Sequence, residues 1–225
     1  MEFLKSDGFV INKTDVGEAD RYITVFLKDF GKMTFLVKGI RKSKRRDKMA
    51  VEVMSLSEFI FYQKGDNYIL SKFNSINNFD ENRKDINKLN TVYYFLIVLN
   101  CILVENGRNV NLYNLLKKSL EFLNETQDER KIKFLIVYFL YEIILEEGIL
   151  FELEENHFYI GEEQEKLSQK EADILSCLLN GKFKKILTDI AYNAEDAKKM
   201  ILLLEKYLNV NLELSISAKK LFYWG

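Results

Sequence analysis

The sequence predicts a multi-domain α+β protein, in which an N-terminal five-stranded β-barrel of the OB type is followed by an all-α helical domain. Apolar residues alternate with a period of two through the first 80 residues, and from about Asn82 they recur with the helical period of 3.6. The chain has 225 residues, of which 48% are hydrophobic, and this is enough for two cores. The predicted domains are therefore residues 1–80 and 81–225.

The first domain is predicted to contain a three-stranded meander followed by a hairpin. A polar turn over Asp15–Asp20 separates the first two strands, and Gly65 supplies the turn of the hairpin. The predicted strands begin at Gly8 and then cover Arg21–Leu27, Met33–Val37, Leu56–Tyr62 and Tyr68–Ile76. Five short strands with a longer connection after the third fit an OB barrel, and periodicity alone does not separate it from an SH3-like barrel.

The helical domain is predicted from apolar stripes and capping signals. Its helices are expected over Ile86–Leu103, over Leu112–Leu123, over Ile132–Leu145 after a capping box at Thr126 and Glu129, from Ser168 with Glu171 to Asn180, from Asn193 with Asp196 to about Leu208, and over Ser217–Tyr223.

One connection concentrates positive charge in a short stretch. The stretch Lys38–Lys48, which we call the basic loop, follows the third strand and has seven cations against Asp47, a net charge of +6 in a chain whose total is −1. Residues 1–80 carry 14 Lys or Arg and 11 Asp or Glu, whereas the later residues are net acidic. A solvated loop is the plain alternative. The clustering favours phosphate binding by Lys38, Arg41, Lys42, Lys44, Arg45, Arg46 and Lys48.

Three strand residues extend this predicted site. Tyr22 alternates away from Ile23 and is the first candidate for stacking on a base. Arg21 and Lys32 are expected to approach one face of the meander, so that the basic loop and this face form one groove.

No catalytic group is predicted. His157 is the single histidine and lies in an ordinary turn context, and no phosphate-binding loop of the G-x-x-x-x-G-K-[ST] type occurs. Asp15, Glu18 and Asp20 could hold a divalent metal, as in a nuclease, but a polar turn that caps backbone amides and pairs with Arg21 is the simpler interpretation. No cofactor is expected.

The expected location is the cytoplasm, without membrane association. Charges interrupt residues 1–8, and the longest apolar run, from Val92 to Val104 with Asn100 inside it, is too short to span a bilayer. Cys101 and Cys177 lie in apolar helical patterns and are expected to be free, buried thiols.

The motifs together resemble a known family. Asp15–Arg21, Gly31-Lys32 and Val37–Lys44 occur in the order and spacing of the RecO family of DNA recombination and repair mediators, and Asn109–Leu116 is similar to the second helix of that family. The resemblance implies an OB domain and a helical domain without a catalytic centre. It also implies binding of single- and double-stranded DNA, annealing of complementary strands, and work with RecR to load recombinase onto strands coated by single-strand binding protein, whose acidic C-terminal tail would be bound.

The chain departs from the family pattern at residues 148–166. Many members carry a four-cysteine zinc site there, but this segment contains no cysteine. It is expected to be a zinc-less insert held by packing among Phe151, Leu153, Phe158 and Ile160. An OB-type adaptor for RNA or a ribosomal surface is the alternative function, and a metal-dependent nuclease is the third.

Overall fold

The computed structural model describes residues 2–154, 156–190 and 192–220. Residues 1–124 and 125–225 form two compact units, which we call the first and second units. The change from strands to helices occurs near residue 80, as the sequence indicates, but the first three helices are grouped with the sheet.

The first unit is built on an antiparallel sheet with the strand order β3-β2-β1-β4-β5. Its strands are β1 (Leu4–Val16), β2 (Asp20–Leu27), β3 (Gly31–Val37), β4 (Leu56–Lys64) and β5 (Asn67–Asn77). Three hairpin-connected strands with a fourth beside the first make a Greek key, which favours the OB type over the SH3-like alternative. The predicted α+β class and OB-like sheet are confirmed. The sheet is not a closed barrel, because β3 and β5 approach each other without a hydrogen-bonded ladder among the described residues.

Alternating residues of all five strands fill one core. They include Val10, Ile23, Val25, Met33, Phe35, Val37, Phe59, Phe61 and Phe73. A short 3-10 turn at Met49–Val51 adds Ala50 and Val51 to this core, and the Ser57 hydroxyl donates to the Ala50 carbonyl over 2.9 Å. The chain between β3 and β4 is therefore pinned to the sheet where the basic loop ends.

Three helices complete the first unit: α1 (Asp80–Lys84), α2 (Ile86–Ile102) and α3 (Val110–Glu125). Tyr113 on α3 packs against Phe9 and Phe26, with ring centroids 5.3 and 5.8 Å apart. The helices thus cover the Phe9 and Phe26 end of the outward sheet face.

The turn between β2 and β3 lies directly against this helical segment. Gly31 has a positive φ, and a Cβ atom there would lie 2.2 Å from the carbonyl oxygen of Gly107. Only glycine fits this close approach. The amide of Asn106 donates to the Lys32 carbonyl, which fixes the same contact.

Over its described residues, the second unit contains four α-helices and a small sheet. The helices are α4 (Glu129–Glu146), α5 (Gln169–Leu179), α6 (Phe183–Thr188) and α7 (Ala194–Asn211), and the strands are β6 (Leu153–Glu154), β7 (His157–Ile160) and β8 (Glu163–Lys166). The capping boxes at Ser168 and Asn193 are present as predicted. The one predicted at Thr126 is wrong: the carboxylate of Asp128 accepts from two amides of the first turn and is the cap of α4. The predicted closing helix is seen as a 3-10 turn at Ala218–Lys220, and Leu221–Tyr223 lie outside the described residues.

The zinc-less insert is an ordered antiparallel sheet of β6, β7 and β8. Phe151, Phe158 and Ile160 are buried, whereas Leu153 is only half-buried. Phe151 and Phe158 also pack edge-on against Tyr207 of α7. An aromatic cluster therefore fastens the insert to α7.

The two cysteines are free thiols, but only Cys177 is buried. The expectation that Cys101 is buried is wrong, because α2 is apolar around most of its circumference and its pattern does not reveal the exposed side. None of the helices in the described ranges is both long and apolar enough to cross a membrane.

Candidate nucleic-acid interface

The basic loop is an irregular segment with a fixed anchor at its end. One carboxylate oxygen of Asp47 accepts from the amides of Met49 and Ala50, and the other accepts from the amide and hydroxyl of Ser75 on β5. Burial by itself raises the pKa of Asp47, but the hydrogen bonds from Ser75, Ala50 and Met49 outweigh it and hold that pKa below its ordinary value. The anion in the loop thus serves to attach the loop to the sheet.

The turn between β1 and β2 braces the beginning of the loop. Asp20 accepts from the amide of Gly39 over 2.7 Å, and the amide of Arg41 donates to the Ala19 carbonyl over 3.0 Å. The Lys42 ammonium lies 2.5 Å from the Glu18 carboxylate. The turn carboxylates therefore cap amides and pair with cations, which is the simpler of the two predicted roles.

All seven cations of the loop are exposed. Four of them bind within the protein: Arg41 contacts Asp15 and the Gly17 carbonyl, Lys42 contacts Glu18, Lys48 donates to the Arg41 carbonyl, and Arg46 donates to the Lys38 carbonyl. The guanidinium carbon of Arg46 also lies 4.7 Å from the ring centroid of Phe73, a cation–π contact. These four side chains shape the loop.

The other three cations of the loop project without a protein partner. In the part of the chain that the structure describes, the side chains of Lys38, Lys44 and Arg45 make neither an ion pair nor a hydrogen bond. With the three carboxylates and Arg21 of the adjoining turn included, the net charge around the loop falls from +6 to +4. The loop therefore keeps a strongly positive surface with three free donors.

Arg21 occupies the opposite face from the one predicted for it. It pairs with Val37 in the β2–β3 register, so its side chain lies on the core side with Ile23, and only 11% of that side chain is exposed. Its guanidinium donates to Asp15 over 2.7 Å and to Glu52 over 2.5 Å. Its charge is thus satisfied by the protein.

Lys32 lies on the outward face, but at its covered end. It pairs with Phe26 in the register, its side chain is 14% exposed, and its ammonium donates to the Asn100 carbonyl over 3.2 Å. The expectation that Arg21 and Lys32 approach one face is therefore wrong. Phe26, the partner of Lys32, is an odd number of residues from Arg21 along β2 and therefore points to the opposite face, and the helices bury Lys32.

Tyr22 lies on the open half of the outward face and is 43% exposed. Its cross-strand neighbours are Thr14 on β1 and Leu36 on β3. Two residues further along the strands, Thr24 pairs with Thr34, and the two hydroxyl oxygens lie 3.4 Å apart. This patch, which we call the Tyr22 face, adjoins Lys38 at the end of β3 and contains an aromatic ring bordered by small polar groups.

The arrangement can bind a polyanion. Within the described ranges, no three His, Cys, Asp or Glu side chains are grouped so that they could hold a metal ion. Cations on a braced loop neutralise phosphates, and an exposed ring on a neighbouring strand offers a stacking surface for bases.

The site predicted from the sequence did not include Asp47, nor Thr24, Thr34 and Leu36 of the exposed face. The alternation of β3 itself places Thr34, Leu36 and Lys38 on one side, so the strand pattern indicates this face. The role of Asp47 depends on Ser75, a contact across 28 residues that no local signal reveals.

Comparison with known proteins agrees with this geometry. Residues 1–79, the sheet and its basic loop, match the sequence model of the family described as "Recombination protein O N terminal". The chain is 26% identical to the DNA repair protein RecO of Caldanaerobacter subterraneus subsp. tengcongensis, with 97% of each chain aligned.

Two further relatives match over a shorter length. The DNA repair protein RecO of Acetivibrio thermocellus is 32% identical over 56% of this chain and 50% of its own. That of Thermoanaerobacter sp. is 30% identical over 56% of this chain and 51% of its own. These two alignments span about half the length of each relative.

Proposed function

Since the chain belongs to the RecO family of DNA repair proteins, we propose that it serves DNA repair and homologous recombination by binding single- and double-stranded DNA through the basic loop and the Tyr22 face. In this proposal the protein makes and breaks no covalent bond. It holds strands so that complementary sequences meet.

The observation that carries this proposal is the division of the loop cations into two sets. Arg41, Lys42, Arg46 and Lys48 are engaged by the protein, while Lys38, Lys44 and Arg45 remain unpaired on a loop fixed by Asp47. A loop that is already ordered loses little conformational entropy when phosphates bind to it. Unpaired cations on an ordered loop are an arrangement that favours the binding of a polyanion.

The Tyr22 face supplies the second part of the proposed interface. In OB folds the outward face of the second and third strands binds oligonucleotides. Here the helices cover one end of that face and leave the end beside Lys38 open. A strand whose phosphates follow the loop would place its bases over Tyr22.

The proposal includes two protein partners, RecR and single-strand binding protein with its acidic C-terminal tail. Family membership supports both of them. With these partners, the chain would anneal strands coated by single-strand binding protein and help to load recombinase.

Annealing of coated complementary oligonucleotides tests the proposal. Two labelled strands are saturated with single-strand binding protein, and duplex formation is followed by energy transfer with and without this protein. We expect the natural chain to accelerate annealing and the triple variant Lys38→Ala/Lys44→Ala/Arg45→Ala to lose most of the acceleration. If the natural chain leaves coated strands unannealed but binds RNA tightly, the proposed role is wrong and an adaptor role takes its place.

A further inference from the structure

The second unit is acidic overall but has clusters of basic residues on its surface. Residues 125–225 carry 13 Lys or Arg against 19 Asp or Glu, a net charge of −6. Six of the 13 cations nevertheless fall in two short segments, Arg130–Lys133 and Lys182–Lys185. This concentration in an acidic unit is the feature that requires an explanation.

The fold brings the two segments together along one seam between α4 and α6. The guanidinium of Arg130 donates to the Leu187 carbonyl over 2.7 Å. Toward the other end of the seam, the ring of Phe183 packs edge-on against Tyr138 with centroids 5.0 Å apart and also contacts Tyr141. The cations of the two segments therefore lie toward the two ends of the contact between α4 and α6.

Most of these cations have no counter-charge. In the described part of the chain, Lys131 pairs with Asp128 over 3.7 Å, whereas the ammonium groups of Lys133, Lys182, Lys184 and Lys185 make no ion pair or hydrogen bond. The nearby carboxylate of Asp189 accepts from the Thr188 hydroxyl. A shallow depression of about 540 Å³ is lined by residues 181–185 together with Thr188 and Asp189.

We propose that this surface binds the phosphates of a second nucleic-acid strand while the basic loop holds the first. The inference rests on the proposed function, because it extends DNA binding from the first unit to the second. A protein with two strand-binding surfaces holds both partners of an annealing reaction on one chain, which raises their effective concentration.

The composition of the surface favours nucleic acid over an acidic peptide. A peptide partner is usually anchored by apolar side chains in well-packed pockets. Here Phe183 is engaged by Tyr138 and Tyr141, and Ile186 is buried, so neither side chain is free to anchor a peptide. Release of counterions from a phosphate backbone gives affinity without such an anchor.

The test counts strands bound per full-length chain. A thymidine strand of about eight nucleotides lies within the range of about 4–16 covered by one OB fold, so it is too short to occupy two separate surfaces fully. We expect the natural chain at low salt to bind two such strands in sedimentation titrations. The variant Lys182→Ala/Lys184→Ala/Lys185→Ala should bind one, and so should the loop variant Lys38→Ala/Lys44→Ala/Arg45→Ala.

A matched control removes the same charge from the same unit. Lys170→Ala/Lys199→Ala/Lys206→Ala removes three lysines that already pair with carboxylates of Asp196, Glu171, Glu163 and Glu165, and it should still bind two strands. Circular dichroism of each variant verifies the fold.

Three outcomes would overturn the inference in different ways. If the Lys182/Lys184/Lys185 variant binds as many strands as the control, the surface does not contact nucleic acid, although the first site stands as long as the loop variant is impaired. If the loop variant binds octaglutamate more tightly than the thymidine strand, the surface fits an acidic protein instead. If the natural chain binds no strand at all, the proposed function falls together with the inference.

Discussion

Tyr22 and Asp47 show how two single side chains perform different tasks in one interface. The ring of Tyr22 is exposed to solvent on the outward face, whereas both carboxylate oxygens of Asp47 accept hydrogen bonds from other groups of the protein. Exposure and the number of internal partners thus separate the side chain that is available to the proposed ligand from the one that positions the loop.

Replacing Tyr22 tests the stacking role. Tyr22→Ala should weaken binding of a short single strand by about 1–3 kcal/mol, which is roughly fivefold to more than a hundredfold, because one stacked base is lost. Tyr22→Phe keeps the ring and should bind like the natural chain. Fluorescence anisotropy with a labelled oligonucleotide measures both variants, and equal affinity for all three proteins would remove Tyr22 from the interface.

Asp47 should affect stability in a pH-dependent way. Asp47→Ala should lower the free energy of unfolding by about 1–3 kcal/mol at neutral pH, since hydrogen bonds to a charged acceptor are lost. The pKa of Asp47 is lowered in the folded chain. Its stabilisation is therefore present above the unfolded value of about 3.9 and disappears as the pH falls through the folded pKa.

Urea unfolding at pH 7 and at about pH 3 measures this difference. The gap between the natural chain and Asp47→Ala should be present at the higher pH and shrink at the lower one. Asp66→Ala in the exposed turn between β4 and β5 is the matched control and should unfold like the natural chain at both values. A gap that stays constant with pH would contradict the anchoring role of the carboxylate.

The basic loop and the zinc-less insert are two connections that are held in place by contacts with neighbouring elements. Both are connections without long regular structure, yet each is fixed by specific contacts: Asp47 with Ser75 in the loop, and Phe158 with Tyr207 in the insert. Connections that are tied to the elements beside them in this way can position functional side chains.

The salt dependence of binding reports the free cations of the loop. In the variant Lys38→Ala/Lys44→Ala/Arg45→Ala, the slope of log K against log salt for single-stranded DNA should be shallower by about 2, from three contacts of about 0.7 each. The control Lys28→Ala/Lys72→Ala/Lys118→Ala removes three exposed lysines of the same unit and should keep the slope. An unchanged slope in the loop variant would exclude these three residues as phosphate contacts.

The insert should be stable without metal. Purified protein is expected to contain no stoichiometric zinc, and a chelator should leave its melting temperature unchanged, because a structural site needs about four nitrogen or sulfur ligands. Phe158→Ala, by contrast, should lower the stability by about 3–5 kcal/mol, since it empties a fully buried position. Elemental analysis and thermal melting measure both effects, and one zinc per chain would show that the cluster of Phe151, Phe158 and Tyr207 is not what holds the insert.

Across the whole chain, the features that strand alternation and capping signals predicted correctly are those that depend only on nearby residues. The alternation of Ile23, Val25 and Leu27 and the capping boxes at Ser168 and Asn193 each describe their own segment, and the structure contains them. The faces of Arg21 and Lys32 depend on register, and the basic surface at Arg130 and Lys182 depends on contacts across more than 50 residues. Such features become visible only in the folded chain.

The stability of the five-stranded sheet should depend on the helices that cover it. A fragment of residues 1–80 contains all five strands and the whole basic loop, but it lacks Tyr113, which covers Phe9 and Phe26. Each exposed Phe costs about 1.5–3 kcal/mol, and a domain of this size has only a few kcal/mol of stability to lose. We expect this fragment to be unfolded or aggregated.

A fragment of residues 1–124 keeps α3 and should melt cooperatively and bind one short DNA strand with the salt dependence of the first site. Thermal melting by circular dichroism and anisotropy titration compare the two fragments. Within the longer fragment, Tyr113→Ala should reproduce much of the defect of the shorter one, because it removes the same cover from the same two rings. Cooperative melting of residues 1–80 at the temperature of the longer fragment would mean that the sheet is an independent domain and that its helical cover is dispensable.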